Sequence, residues 1–212
     1  MDSFIIEVAT SKHLCFAEEI CNLIEISAKE RGTGIAKRSP EYIKTKMQEG
    51  KAIIAIANTE TLAGFCYIES WGEKQYAANS GLIVNPIFRG VGLSRKIKEK
   101  AFRHSRKLFP KAKLFGLTTS LPVMKINSEL GYVPVTYNQL TSDELFWNGC
   151  QSCVNFEILK SKERRHCMCT AMLFDPEKPK KNGWNFMKKS KAYTRFMELK
   201  KKRLSQLLAL FL

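Results

Sequence analysis

The sequence has no apolar run of the length a membrane span needs, roughly 20 residues; the terminal Leu207-Leu208-Ala209-Leu210-Phe211-Leu212 is far too short. No basic region followed by a long apolar run comes after Met1-Asp2-Ser3, so no secretory leader is expected. An even cysteine set is missing as well. There are 7, and an odd number without a leader argues against a disulfide scaffold and for a reducing, cytoplasmic setting. No internal repeat divides the chain. Acidic residues are scarce, with 20 Asp and Glu against 35 Lys and Arg, a net charge of +15. The imbalance is concentrated: residues 177–212 carry 11 Lys and Arg against 2 Glu, or +9, leaving +6 for the rest. Such a tail reads first as a solvated extension, with attraction to RNA or another acidic surface as the sharper alternative. Neither nucleic acid nor membrane is the expected partner.

What is present suffices for one domain with an appendage, since 212 residues at 44% hydrophobic content can bury a substantial core. Residues 4–8 read as a first strand. Thr10 or Ser11 caps a helix to about Lys29, with Leu14, Ala17, Cys21, Ile24 and Ala28 on one face. Ser39-Pro40 opens a second helix as cap and first helical residue, and Gly50 closes it. Residues 52–57 and 62–69 flank a polar turn as a hairpin, and 77–84 adds a third strand. Further on, 113–118 reads as a strand. A helix opened by Ser120 and Pro122 follows and ends at Gly131, and 132–137 reads as another strand. A cysteine-bearing insertion over 139–169 precedes a last strand at 170–174. Beyond it lie a Pro- and Lys-rich linker and a basic helix over 185–212, expected to dock on the domain or on a second copy as a homodimer.

The most informative segment is Leu82-Ile83-Val84-Asn85-Pro86-Ile87-Phe88-Arg89-Gly90-Val91-Gly92-Leu93-Ser94. It is a buried strand, a short Arg/Gly loop and the first turn of a helix reaching about Lys107, with Leu93, Ile97 and Ala101 at four-residue spacing. Two glycines leave backbone N–H groups uncovered where the helix dipole is positive, which suits a phosphate or pyrophosphate. Glycines in a strand–helix turn are also required for steric reasons alone.

Arg89-Gly90-Val91-Gly92-Leu93-Ser94 resembles the Arg/Gln-x-x-Gly-x-Gly/Ala loop of the GNAT acyltransferase superfamily, with Ser94 where Gly or Ala is usual. Val84-x-Pro86 upstream and Leu130-Gly131-Tyr132 downstream resemble the family in order and spacing, and the likeness covers residues 4–135 and 170–174. The resemblance implies a mixed α/β fold, a central twisted mixed sheet flanked by helices, in a domain spanning 1–176. It implies an acyl-CoA-dependent N-acyltransferase with acetyl-CoA as co-substrate and a small-molecule amine as acceptor. Carried over residue by residue, Leu82 and Val84 offer main-chain groups to the pantetheine arm. Arg89, Gly90, Val91, Gly92, Leu93 and Ser94 hold the pyrophosphate, with Arg89 shaping the loop.

The family's usual acid, a tyrosine four residues before the Leu-Gly-aromatic glycine, is here Asn127, which hydrogen-bonds but cannot donate a proton. The glutamate often found on the strand before the loop is also missing from Ala77-Ala78-Asn79-Ser80-Gly81, leaving Glu69 as the best carboxylate and Ser80 as a water-holding relay. Glu69 reads equally as an exposed strand-end charge. In this fold acceptors are selected around the first two helices, here Arg31-Gly32-Thr33-Gly34-Ile35-Ala36-Lys37-Arg38. Lys37 or Arg38 there clamps a substrate carboxylate, or else forms a solvated basic loop. The chain also resembles short bacterial GNAT proteins of N-acylglutamate synthesis, which implies an amino-acid acceptor such as glutamate. A protein amine, or a non-catalytic CoA- or RNA-binding module, are the rival readings. Cys150-x2-Cys153 and Cys167-x-Cys169 form a candidate structural zinc set, with buried thiols and a regulatory disulfide as alternatives.

Overall fold

Strands form where β-branched and small apolar residues cluster, and the turn chemistry between them sets the order. The structure, a computed structural model, describes residues 3–31, 37–58 and 60–178. The 32–36 part of the basic loop and residues 179–212, with the helix read there, lie outside the described residues. β1 (Phe4–Val8) leads through a 3-10 turn (Ser11–Phe16) into α1 (Ala17–Arg31). α2 (Pro40–Gln48) starts as expected, with Pro40 in its first turn and Ser39 Oγ accepting from the Tyr42 N–H at 3.2 Å. β2 (Ala52–Ala57), β3 (Thr61–Trp71) and β4 (Tyr76–Val84) form an antiparallel meander. α3 (Leu93–Leu108), β5 (Lys113–Thr118), α4 (Leu121–Glu129), β6 (Val133–Pro134), α5 (Glu144–Asn148), α6 (Phe156–Ser161) and β7 (Thr170–Phe174) complete the fold.

The sheet has seven strands in the order β1-β2-β3-β4-β5-β7-β6, and β4–β5 is its parallel pair. That parallel ladder is short: Tyr76, Ala77 and Ala78 pair with Lys113, Leu114 and Phe115, and then the strands separate. Beyond the split β4 continues against β3 while β5 continues against β7, so a gap opens in mid-sheet. β4 also carries a bulge, since Phe65 faces Ile83 whereas Tyr67 faces Ser80. Gly81 makes the bulge possible. Its φ of +61° suits glycine, and a Cβ there would lie 2.5 Å from Tyr67 Cε1.

α1 and α2 cover one face of the sheet, over a core that includes Ile20, Ile43, Met47, Phe65 and Ile83. α3 covers the other through Leu93, Ile97 and Ala101, the stripe legible in the sequence, here packed on Ile53, Cys66 and Val84. The strand expected over 132–137 shrinks to Val133–Pro134. Pro134 has no N–H to donate and sits at the sheet edge, while the Tyr132 ring turns into the core at 2% exposure. The segment between β6 and β7 is not structureless: Tyr137, Leu140, Trp147, Leu159 and Cys167 bury themselves against Phe115 and Leu173. Among the described residues no helix is long and apolar enough to cross a membrane.

Candidate active site

The split between β4 and β5 opens into a cavity of about 650 Å³. It reaches both faces of the sheet, since its walls include Tyr42 and Tyr67 from the α1–α2 side and Lys98 from α3. On the β5-facing edge, the main chain of β4 past Ala78 has no strand partner, so its polar groups are available to a ligand. Ser80 and Leu82 line this part of the cavity; Val84 does not, and its carbonyl accepts from Arg89 Nε at 3.4 Å.

Beyond β4, Asn85 Oδ1 accepts from the Ile87 N–H, and a 3-10 turn over Pro86–Phe88 delivers the glycine loop. Gly90 and Gly92 have φ of +86° and +79°, and a Cβ built on either would meet nothing within 4 Å. Gly92 caps α3 without a side chain, no acidic residue occupies the first turn, and Leu93 and Ser94 begin the helix. The N–H groups at the start of this sixteen-residue helix have no side-chain cap, a feature that suits an anion, and the space beside both glycines is open. Arg89 does not point at that space: it holds Glu30 at 2.9 Å and Ser27 Oγ at 3.5 Å, fastening the loop to α1. Val91 is exposed at the loop tip.

None of Arg89, Gly90, Val91, Gly92, Leu93 and Ser94 lines the cavity, whereas Arg38 does. Its Nε donates to Tyr67 OH at 2.9 Å and its Nη1 to the Lys37 carbonyl at 2.8 Å, while its guanidinium carbon lies 5.2 Å from the centre of the Tyr42 ring and 5.9 Å from that of Tyr67. Held in this way, the guanidinium is pre-oriented, with Nη2 beside Gly149. Lys37 also lines the cavity but is exposed. Glu69 is no loose strand-end charge. Oε1 receives both the Tyr42 hydroxyl and Lys46 Nζ, the latter at 2.9 Å, and the residue lines the cavity. Burial, with Tyr67 and Glu69 adding to it, pushes the Tyr42 hydroxyl far above the usual tyrosine range, so it stays a donor. Trp71, Phe115 and Phe146 form an apolar wall, with Phe115 and Phe146 edge to face at 4.9 Å.

Asn127 is placed elsewhere. It is 1% exposed on α4, its Nδ2 contacts Met172 Sδ at 3.8 Å, and it does not line the cavity. The zinc expectation finds no support: among the described residues no group of three or more His, Cys, Asp or Glu is arranged to hold a metal. Cys153 Sγ accepts from the Asn155 N–H at 3.5 Å, and the buried Cys167 thiol contacts the Asn155 carbonyl at 3.9 Å. Cys150, Cys153 and Cys169 instead face the cavity. Burial, then neighbouring thiols, pushes Cys150 up to about 11 and Cys169 up to about 12, which leaves them unreactive at neutral pH. The sequence reading missed Tyr42, Tyr67 and Lys98. Tyr42 sits on an amphipathic helix and Tyr67 within a strand buried on both faces, so neither is singled out by pattern, and Lys98 is one of many cations in α3, marked only by its place beside Ile97.

A sheet whose single parallel pair splits beside a glycine loop and a helix N-terminus defines the fold of the GNAT acetyltransferases, and this chain has that fold. The structures it resembles include N-acetylglutamate synthase from Neisseria gonorrhoeae, solved with coenzyme A and N-acetyl-glutamate, at TM-score 0.58 and 18% identity over 83% of this chain. This chain spans 36% of the length of that synthase. Rv2747 from Mycobacterium tuberculosis, solved with CoA, superposes at TM-score 0.58 and 15% identity, covering 81% of this chain and 98% of that one. A GNAT-family acetyltransferase from Staphylococcus aureus gives TM-score 0.53 and 15% identity over 66% of this chain and 91% of its own. No family model and no curated protein sequence matches the chain.

Proposed function

We propose that this protein is an acyl-CoA-dependent N-acyltransferase that moves an acetyl group from acetyl-CoA to the amine of a small acceptor bearing a carboxylate. The observation that carries the reading is the gap between β4 and β5, with main-chain groups along one edge that no strand pairs, followed along the chain by the glycine-lined, uncapped N-terminus of α3. The residues fit the co-substrate: Gly90–Ser94 offer N–H groups and open space for a pyrophosphate, and β4 past Ala78 offers strand-like bonds to an amide-containing arm. Two structures of similar fold hold CoA, which supports the same choice.

At the acceptor end, Arg38 provides a fixed guanidinium for a carboxylate, and the Glu69 carboxylate, which lines the same cavity, provides an acceptor for the amine. Glu69 acts there as the base that keeps the nucleophile unprotonated, directly or through a water on Ser80. Main-chain N–H groups of the gap stabilise the carbonyl oxygen as it gains charge. A fixed cation inside an aromatic-walled cavity favours a free amino acid over a protein side chain, and N-acetyl-glutamate in one structure of similar fold makes glutamate the first acceptor to try.

The test is thiol release from acetyl-CoA and succinyl-CoA over a panel of amino acids and polyamines. Turnover confined to carboxylate-bearing amines is expected. CoA binding without acylation of any acceptor would overturn the enzyme reading and leave a binding module.

A further inference from the structure

Lys98 is the charged member of the buried face of α3, which otherwise consists of Leu93, Ile97, Ala101 and Ser105. It is 2% exposed, and among the described residues no carboxylate forms an ion pair with it. Its Nζ has one long hydrogen bond, 3.4 Å to the Asn79 carbonyl, and stands 5.6 Å from the centre of the Tyr132 ring. Asn79 is the first β4 residue past the last β4–β5 pair, so the ammonium sits at the apex of the gap, where it helps line the cavity. Two acceptors nearby are unused: Asn79 Oδ1 and the Tyr132 hydroxyl are buried without a hydrogen-bond partner. A buried, unpaired ammonium costs several kcal/mol, whereas Arg95, Lys96, Lys100 and Arg103 on the same helix are not buried. The position that the family resemblance assigns to an acid is Asn127, which carries no transferable proton and lies off the cavity.

We propose that Lys98 is the catalytic acid that protonates the departing CoA sulfur, a role that rests on the acyl-CoA reading above. The acceptor nitrogen forms its bond to the thioester carbonyl carbon, and the C–S bond then breaks with its electron pair passing to sulfur. The Lys98 ammonium gives that sulfur a proton, yielding the thiol. Lys98, left neutral, is reprotonated by the proton the attacking nitrogen has lost, so one proton moves in net from nitrogen to sulfur.

The surroundings suit the role. Burial presses the ammonium below the ordinary lysine range, which makes it a readier proton donor than an exposed lysine. The groups facing it are Cys66 of β3, which draws it partly back, Asn79 of β4, Ser105 of its own helix and Tyr132 after α4. No carboxylate among the described residues is paired with it to fix the charge.

The experiment compares CoA with desulfo-CoA, in which hydrogen replaces the thiol, by calorimetry across pH, and follows bound thiolate by ultraviolet absorbance. Wild type is set against Lys98→Met and Lys98→Gln, the second covering the case in which the first does not fold. Wild type should lower the thiol pKa of bound CoA by about one unit, a tenfold preference for thiolate, and both variants should abolish that shift. With an acceptor, kcat should fall roughly 100-fold and lose its high-pH limb while the acceptor KM holds. If CoA binds and its thiol titrates alike in wild type and variants, Lys98 is not the acid. If wild type binds neither CoA nor desulfo-CoA, the acyl-CoA reading itself fails, and the two failures are distinguishable.

Discussion

Replacing Gly92 with alanine separates what the protein needs at the loop from what a ligand needs. Gly92 has φ +79° and ψ 10°, a left-handed conformation that costs an L-residue roughly 1–2 kcal/mol. No atom lies within 4 Å of the added Cβ, so backbone strain is the whole folding cost. For a chain of this size that corresponds to a Tm fall of about 2–8 °C. The new methyl does occupy the space where a pyrophosphate would approach the N–H groups of α3. Each charge-assisted hydrogen bond lost there is worth about 1.5–3 kcal/mol, so CoA should bind roughly 10- to 100-fold more weakly. Gly50→Ala is the control: Gly50 also has positive φ, +63°, and open surroundings, but lies in the turn before β2. It should lose similar stability and leave CoA affinity unchanged. Calorimetric titration with CoA, paired with thermal melts, reads both effects. Equal CoA affinity in Gly92→Ala and wild type would refute the pyrophosphate assignment.

Three further outcomes are expected. Arg38→Lys keeps the charge but loses the fork fixed by Tyr67 and Lys37. KM for a carboxylate-bearing acceptor should rise roughly 10- to 100-fold with CoA affinity unchanged, and an equal effect on acceptors without a carboxylate would argue against the clamp. Gly81→Ala drives a Cβ to within 2.5 Å of Tyr67 Cε1 at φ +61°. It should cost about 2–5 kcal/mol by denaturant titration, and a loss below 1 kcal/mol would mean that the bulge relaxes freely.

The third outcome concerns pH. Burial depresses the Lys98 pKa, so between that value and the unfolded value of about 10.4 the unfolded chain binds more protons than the folded one. The resulting penalty is fully present below the folded pKa and is lifted as pH rises toward 10.4. Lys98→Met should therefore match or exceed wild type in stability at pH 7, with its relative advantage shrinking toward pH 10. Parallel stability curves would show that the ammonium carries no burial penalty.

The element order of the domain was legible because its signals are local. Ser39-Pro40 starts α2 as cap and first helical residue, and Leu93, Ile97 and Ala101 mark the buried stripe of α3. The glycine loop was legible for the same reason, since left-handed glycines ahead of a helix are signalled within a few consecutive residues. Asn127 shows the limit of carrying a position over from a family. Its side chain is buried between Met172 and the Gly116 stretch of β5 and does not itself line the cavity. The cysteine spacing carried less than it suggested: Cys150, Cys153, Cys167 and Cys169 lie near enough to act on one another's thiols, but spacing alone cannot say whether they take up the arrangement that holds a metal, and among the described residues none does.

By itself the sequence determined most of the strands and helices and the glycine loop, through short-range sterics, capping and periodicity, though not the shortness of β6 or the helices α5 and α6. Only the tertiary structure decided that β4 parts from β5 after Ala78 and that Arg38, Tyr42, Tyr67 and Glu69 meet across 31 positions of chain. It also decided that one lysine among the many of α3 stands buried at the apex of the gap. The reason is that these features depend on which long-range surfaces pack together, and the burial and charge of a side chain are properties of that packing.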